Sequence, residues 1–403
     1  MAETLEWQNP GDYQLIKAEL VLSGNERIDI REHMAYIEIY EDIFMNYMTC
    51  SFKLMDLEGM FESKGFTGEE KLNFSFKTSD VHHEHTKTFD ITKISEFDSG
   101  GDFDRYYSFK GTTEGAFKNE NTRISKSYSG RPEDIIGTIL EKTMEMIPSD
   151  WSKMYGYDIT KYDRDMVVPN WKPYRLFNYL GSTSIDGFSD NDYDTGYIFY
   201  ENSVGYQFRH LRNLYEENEP FEIFERVSGV KGDLETATSH KVEQVVDHLT
   251  NAMTGAYANT IIEHDIINKK ITTTTNSYNE DREIKDPMVY NREYSPNNRV
   301  TMMSSNYDMA KAKYWGAVTD RDKRLFDGFK INLVVPGNSN ITVGQTVKYK
   351  MASCLMTEEW NKTHKRFPQK FLITAVRHSI SVLSTGESEY NQVLELRSDR
   401  WVE

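Results

Sequence analysis

From about Asp12 to Thr113 the chain alternates apolar and polar positions with period two. The runs are Ala35-Tyr-Ile-Glu-Ile-Tyr-Glu-Asp-Ile43, Thr49-Cys-Ser-Phe-Lys-Leu-Met-Asp56, Leu72-Asn-Phe-Ser-Phe-Lys77, Phe89-Asp-Ile-Thr-Lys93 and Tyr106-Tyr-Ser-Phe-Lys110. Alternation of this kind predicts strands with one buried face. Turns rich in Gly, Asp and Ser, such as Asp98-Ser-Gly-Gly-Asp102, separate them. Several short strands with no helix signal between them predict a sandwich or a small barrel.

After that the period changes. Gly130-Arg-Pro-Glu-Asp-Ile-Ile136 puts Pro132 at a helix start, acids in the first turn, and Ile135, Ile136, Ile139, Leu140 and Met144 along one side. This predicts a helix of about 14 residues. A second helix is expected after Asn170-Trp-Lys-Pro173, with Leu176, Phe177 and Leu180 buried and Gly181 as its stop. Thr195 to Arg209 reads as a strand, a turn at Glu201 to Gly205 and a returning strand. Residues 119 to 212 are therefore expected to form a mixed α+β module.

Phe221 to Val227 predicts another strand, and Val242 to Leu249 fits helix and strand alike. The β-branched stretches from Thr260 to Ile267 and from Lys270 to Asn276 favour strands, and Tyr278 to Asn298 favours a loop. A short helix is expected over Met309 to Tyr314 or Asp320 to Phe326. The strand pattern then returns in Phe329 to Val335, Thr342 to Met351, Phe371 to His378 and Tyr390 to Leu396, which indicates a second small β domain. Phe89-Asp-Ile-Thr92 and Phe371-Leu-Ile-Thr374 match, and each precedes a turn and a final strand bearing Tyr107 or Tyr390. That match admits an internal duplication, two copies of one barrel with the α+β module inserted between them. Three such chains around an axis would present six barrels to a six-fold partner.

Composition narrows the function classes. The 403 residues allow two or three domains, and 13% aromatic content argues for a folded, strand-rich protein. Lys and Arg total 47 against 64 Asp and Glu, a formal charge of −17, which argues against a duplex-DNA reader. Only Cys50 and Cys354 occur, so neither a disulfide scaffold nor a CxxC pair is expected. The opening MAETLEWQNPGDYQ lacks the basic start and apolar run of a secretory signal, and no stretch approaches a membrane span. The sequons at Asn73, Asn340 and Asn361 accordingly carry no weight.

Two segments invite a metal reading. His82-His-Glu-His85 offers three imidazoles and a carboxylate, but consecutive side chains on a strand or loop diverge, and the stretch reads as a solvated polar loop. Asp190-Asn-Asp192-Tyr-Asp194 with Glu201 at the twelfth position resembles a calcium loop. Thr195 stands where such a loop needs Gly, and a strand follows instead of a helix, so a turn before a hairpin is expected. No nucleophile elbow, zincin helix, phosphate loop or dinucleotide fingerprint is present. No catalytic, cofactor-binding or metal residue is nominated. Trp7, Trp151, Trp171, Trp315, Trp360 and Trp401 are expected as core or interface anchors, with a sugar-binding platform as the alternative.

Pro169-Asn-Trp-Lys-Pro-Tyr-Arg-Leu-Phe-Asn-Tyr-Leu180 and Gly196-Tyr-Ile-Phe-Tyr-Glu-Asn-Ser-Val-Gly-Tyr-Gln-Phe208, with Leu211 and Leu214, resemble the central module of the baseplate hub proteins of contractile-tailed bacteriophages. Gly255 to Asp265 with Lys269, Lys270 and Tyr278, then Val343 to Val347, Phe371 to His378 and Leu394 to Leu396, are similar to later stretches of that family, in the same order. The resemblance implies a mainly β chain with an α+β insert, its two tube-type antiparallel β barrels related by internal duplication. Residues 1–118 would be the first tube-type barrel, 119–212 with about 266–326 the α+β module, and 213–265 with 327–403 the second barrel. It implies a non-enzymatic homotrimer in the virion baseplate, made in the host cytoplasm, without cofactor or membrane insertion. A trimeric spike would sit on one face, the tail tube and tape-measure end on the other, and wedge proteins around it. DNA would pass through a lumen whose acidic walls keep it moving. The alternatives are the hub of a bacterial contractile injection system and, from another class, a virion-associated carbohydrate-active enzyme.

Overall fold

The computed structural model describes residues 11–56, 59, 63–78, 84–99, 105–148, 154–188, 195–219, 221–225, 235–244, 247–253, 255, 258–277, 295, 297, 299–305, 329–352, 368–381 and 389–398. The two alternative helices expected between Met309 and Phe326 lie outside these residues, as do Cys354, Asn361 and every Trp except Trp171.

The first alternating segment folds into β1 (Tyr13–Val21), β2 (Arg27–Asp29), β3 (Met34–Asp42), β4 (Thr49–Asp56), β5 (Lys71–Thr78), β6 (His85–Ser99) and β7 (Arg105–Thr113). The ladder runs β2-β1-β5-β6-β7-β4-β3, antiparallel throughout. Ile37, Ile39, Phe52, Leu54, Leu72, Phe74, Phe76, Phe89 and Phe109 fill its interior, so the period-two reading gave the buried face correctly.

The α+β module follows. It contains β8 (Ser127–Gly130), β9 (Tyr155–Tyr157), β10 (Arg164–Val167), β11 (Tyr197–Glu201) and β12 (Tyr206–His210), with helices Gly115–Asn121, Pro132–Lys142, Pro173–Thr183 and Leu211–Glu216. Pro132 and Pro173 each open a helix, where a missing N–H costs nothing. Asn119 Oδ1 accepts from the Tyr174 N–H at 2.8 Å, capping the second of these from a neighbouring helix. Gly181 does not stop that helix, which continues to Thr183. It is glycine for a different reason. A Cβ there would lie 2.7 Å from the Tyr197 carbonyl oxygen, so its absence lets the helix lie close on β11.

The second alternating segment supplies β13 (Phe221–Glu225), β14 (Thr236–Ala237), β15 (Ser239–Gln244), β19 (Phe329–Pro336), β20 (Thr346–Lys350), β21 (Lys370–Ser381) and β22 (Glu389–Ser398). Its ladder, β14-β13-β20-β21-β22-β19-β15, repeats the first strand for strand. In each copy one continuous stretch closes the ring, β2 running through a turn into β3 and β14 into β15 across Thr238. One strand departs from the antiparallel expectation. β13 runs parallel to β20, where β1 runs antiparallel to β5.

The duplication extends to individual hydrogen bonds. The ladders of β6 with β7 and of β21 with β22 each shift register at the matched threonine, between Ile91 and Lys93 and between Ile373 and Ala375. Thr92 Oγ1 donates to Lys110 O at 3.1 Å, and Thr374 Oγ1 to Glu395 O at 3.3 Å. The Ile91 N–H donates to Glu70 O and that of Ile373 to Gln345 O, both at 2.9 Å. Thr67 N–H reaches Glu70 Oε1, and Thr342 N–H reaches Gln345 Oε1.

Ala258–Asp265 (β16), expected with the second barrel, pairs instead with β17 (Lys270–Ser277) and β18 (Val300–Ser305) in a separate three-stranded sheet. Val242 to Leu249 proves to be both of its alternatives, the end of β15 and then a short helix, His248–Met253. No helix among the described residues is long and apolar enough to cross a membrane.

Candidate functional site at the junction of the two barrels

The barrels are joined backbone to backbone. β21 pairs with β20 through Lys370–Leu372 and, farther along, with β3 through Ala375–Ser381, so one continuous sheet crosses from one barrel to the other. Its far end also enters the first core, where Ile380 and Tyr390 are fully buried, and Tyr13 Oη donates to Ser381 O at 3.2 Å.

Under this seam lies a buried polar group. On β3, Ile37, Ile39 and Glu41 share the inward phase, and on β21 so do Val376, His378 and Ile380. Glu41 and His378 are therefore turned into the core by the same alternation that buries their apolar neighbours. His85, at the start of β6, arrives from the opposite side of the first barrel, its ring stacked on Phe76 at 4.9 Å. The Glu41 Oε1 atom is 3.4 Å from His378 Nε2 and 3.7 Å from His85 Nε2, and all three side chains are at most 2% exposed.

The outer edges of the group are held. Glu41 Oε2 accepts from Thr342 Oγ1 and from the Val343 N–H at 3.2 Å, both on the loop after β19. His378 Nδ1 contacts Tyr390 Oη at 2.7 Å and Gln392 Nε2 at 3.2 Å. The inner edges are not. Glu41 Oε1, His378 Nε2 and both ring nitrogens of His85 have no hydrogen-bond partner among the described residues. Leaving such an atom buried and unpaired costs about 1–3 kcal/mol. Burial opposes ionisation of Glu41, but the His378 and His85 imidazoles outweigh it and hold the carboxyl far below the usual range. Burial lowers His85, so its ring favours the neutral form.

The sequence-level candidates fare differently. His82 and His83 lie outside the described residues, whereas His85 is not on a solvated loop but in the core, because the β6 ladder begins there. Glu41 and His378 were missed. Their signal was a charged or titratable residue in phase with buried isoleucines, readable once the inward phase of each strand is fixed. Asp190, Asp192 and Asp194 lie outside the described residues, while Glu201 contacts Thr113 Oγ1 at 2.5 Å and Lys87 Nζ at 3.3 Å, tying the module to the first barrel. Trp171 is half-buried against the module core with Arg175 over its ring.

No family model matches the sequence, and no curated protein matches it. Solved structures do match the fold. A tail protein from Neisseria meningitidis shares 12% identity at a TM-score of 0.55, over 96% of this chain and 97% of that one. The 43 kDa tail protein of prophage MuSo2 from Shewanella oneidensis also reaches a TM-score of 0.55, at 9% identity over 96% of this chain and 98% of that one. A prophage tail protein from Listeria monocytogenes shares 10% identity at a TM-score of 0.50, over 95% of both chains. The chain thus has the two-barrel, mainly antiparallel fold of phage tail proteins along almost its whole length, as the hub resemblance implies.

Proposed function

We propose that this protein is the central hub of a phage contractile-tail baseplate, a homotrimer that adapts a three-fold spike to a six-fold tail tube and encloses the DNA passage. The carrying observation is the repeated strand ring. Two rings with the same order, the same bulge and the same threonine hydrogen bond give a trimer six near-equivalent units. The end-to-end likeness to phage tail proteins supports the same reading. So do the apolar side chains exposed on the outer face of the β16–β18 sheet, among His264, Thr273 and Thr275. Val300, Met302 and Ile271 share that face and are all exposed, Met302 at 75%. Apolar side chains grouped on one face suit a surface that an assembly covers. The role is one of shape and adhesion, without turnover of a substrate.

The test is the solution mass by light scattering, alone and with a candidate spike protein. A species of three times 47.0 kDa, alone or on spike addition, is expected. A chain that stays monomeric and binds neither spike nor tube protein would overturn the proposal, and a glycan-hydrolysis screen would then take precedence.

A further inference from the structure

We propose that Glu41, His85 and His378 form a structural binding site for a divalent transition-metal ion, with zinc as the expected occupant, and that the ion cross-links the two barrels. The donor set is a carboxylate oxygen and two imidazole nitrogens, which suits zinc and its first-row neighbours. One potential ligand atom from each residue lies within 4.8 Å of the other two. Around a tetrahedral ion with bonds of about 2.1 Å, donors stand about 3.4 Å apart. The two separations at Glu41 Oε1, 3.4 and 3.7 Å, are close to that spacing.

The unpaired atoms of the cluster, His85 Nδ1 apart, are the ones a metal would use. Glu41 Oε1, His85 Nε2 and His378 Nε2 converge with no partner among the described residues, while the outer atoms Glu41 Oε2 and His378 Nδ1 are engaged. Contacts from behind that fix ligand orientation and leave the facing atom free are what a metal site requires. Binding an ion at His378 Nε2 requires the ring proton on Nδ1, where Tyr390 Oη at 2.7 Å can accept it. A plain hydrogen-bonded cluster explains less, because at 3.4 and 3.7 Å both rings stand beyond the ordinary N–H···O length from Glu41 Oε1.

Burial argues for a cross-link over a reaction centre, since all three side chains are shut from solvent. The ligands come from β3 and β6 of the first barrel and β21 of the second, and the loop holding Glu41 Oε2 belongs to the second. The ion would therefore tie both barrels where their sheets merge. No spacing motif marks such a site, because its three ligands are far apart along the chain.

The test is elemental analysis of the full chain, expressed in zinc-supplemented medium and purified without chelator or metal-affinity resin. About one zinc or other divalent transition ion per chain is expected, falling at least tenfold in His85→Gln and His378→Gln. A double variant, His82→Gln with His83→Gln, should keep the full content. Because substitutions in a core put folding itself at risk, wild type is also unfolded and refolded with zinc chloride or with EDTA. The zinc sample should melt several degrees higher, and the two His85→Gln samples should melt alike. Metal-free wild type with no zinc-dependent melting shift would overturn the proposal, as would metal lost only from the His82 and His83 variant. Either outcome is independent of whether the chain forms a trimer.

Discussion

Glu395 on β22 shows how a single charged residue is set in the second barrel. Its carboxylate accepts from Thr374 Oγ1 at 2.9 Å and Arg397 Nε at 2.8 Å, with Lys330 Nζ at 2.8 Å. Partial burial works against ionisation, but the Lys330 and Arg397 cations outweigh it and hold the carboxyl below its usual range. A lowered folded-state pKa contributes stability that is present above the unfolded value, about 4.3. That contribution is lost as pH falls through the folded value. Glu395→Gln should therefore cost about 1 kcal/mol at pH 7, and the gap to wild type should narrow as pH falls below the unfolded value and close once it has passed the lowered folded one. Urea titrations of both chains across pH 3–7 check this. A pH-independent gap would mean that packing, not charge, holds Glu395. At this scale the sequence was least legible. Glu41, Glu395 and Glu201 all stand in strands, yet Glu41 meets two imidazoles, Glu395 two cations and Glu201 a lysine and a threonine. Alternation gives the face a side chain takes but not what stands across the core from it.

Strands were the most legible elements, because period two survives any tertiary context that leaves one face buried. β4 spans the alternating Thr49 to Asp56 run itself, and the Thr195 to Arg209 hairpin appears as β11 and β12. Helix ends were less so, as Gly181 shows: glycine at a close approach and glycine at a helix stop look alike in sequence. The direction of β13 was also hidden, since alternation carries no sign. The duplicated bulge offers a controlled comparison between the barrels. Thr92 is exposed, whereas Thr374 is 1% exposed and shares its proton between Glu395 O at 3.3 Å and the Glu395 carboxylate at 2.9 Å, yet both hydroxyls reach the matching backbone carbonyl across the same register shift. Thr374→Val should cost about 1–2 kcal/mol and Thr92→Val under about 0.5 kcal/mol, since an exposed carbonyl regains its bond from water. Parallel chemical denaturation of the two variants measures the difference. Equal costs would show that the bulge geometry, rather than burial, sets the worth of the hydroxyl.

For the whole molecule, the outer face of the β16–β18 sheet is where self-association is expected to be decided. Met302→Glu and Ile271→Glu place charge on that face without touching a core, because both side chains are exposed. Each should weaken assembly by about tenfold or more, equivalent to about 1.4 kcal/mol, and leave the melting temperature of the dilute chain unchanged. Sedimentation velocity over a concentration series, paired with thermal melts, checks both halves. The two-barrel plan itself was legible from the Phe-x-Ile-Thr match and the order of segments. The division between barrel and module was not, because β16 carries the same β-branched pattern whether it pairs within the second barrel or with β17.

The seam between β3 and β21 also governs the order in which the protein can be made. The first barrel leaves the ribosome early, but one edge of its sheet is covered, and part of its core filled, by Ala375–Ser381, Ile380 and Tyr390. Those residues follow roughly 330 positions later, some tens of seconds at the usual rates of synthesis. Through that interval β3 is an open strand beside an incomplete core, the condition under which nascent chains pair with one another. Arrival of β21 and β22 thus completes the first barrel, and a chain cut before Lys370 would leave β3 unpaired along that edge and the first core short of Ile380 and Tyr390.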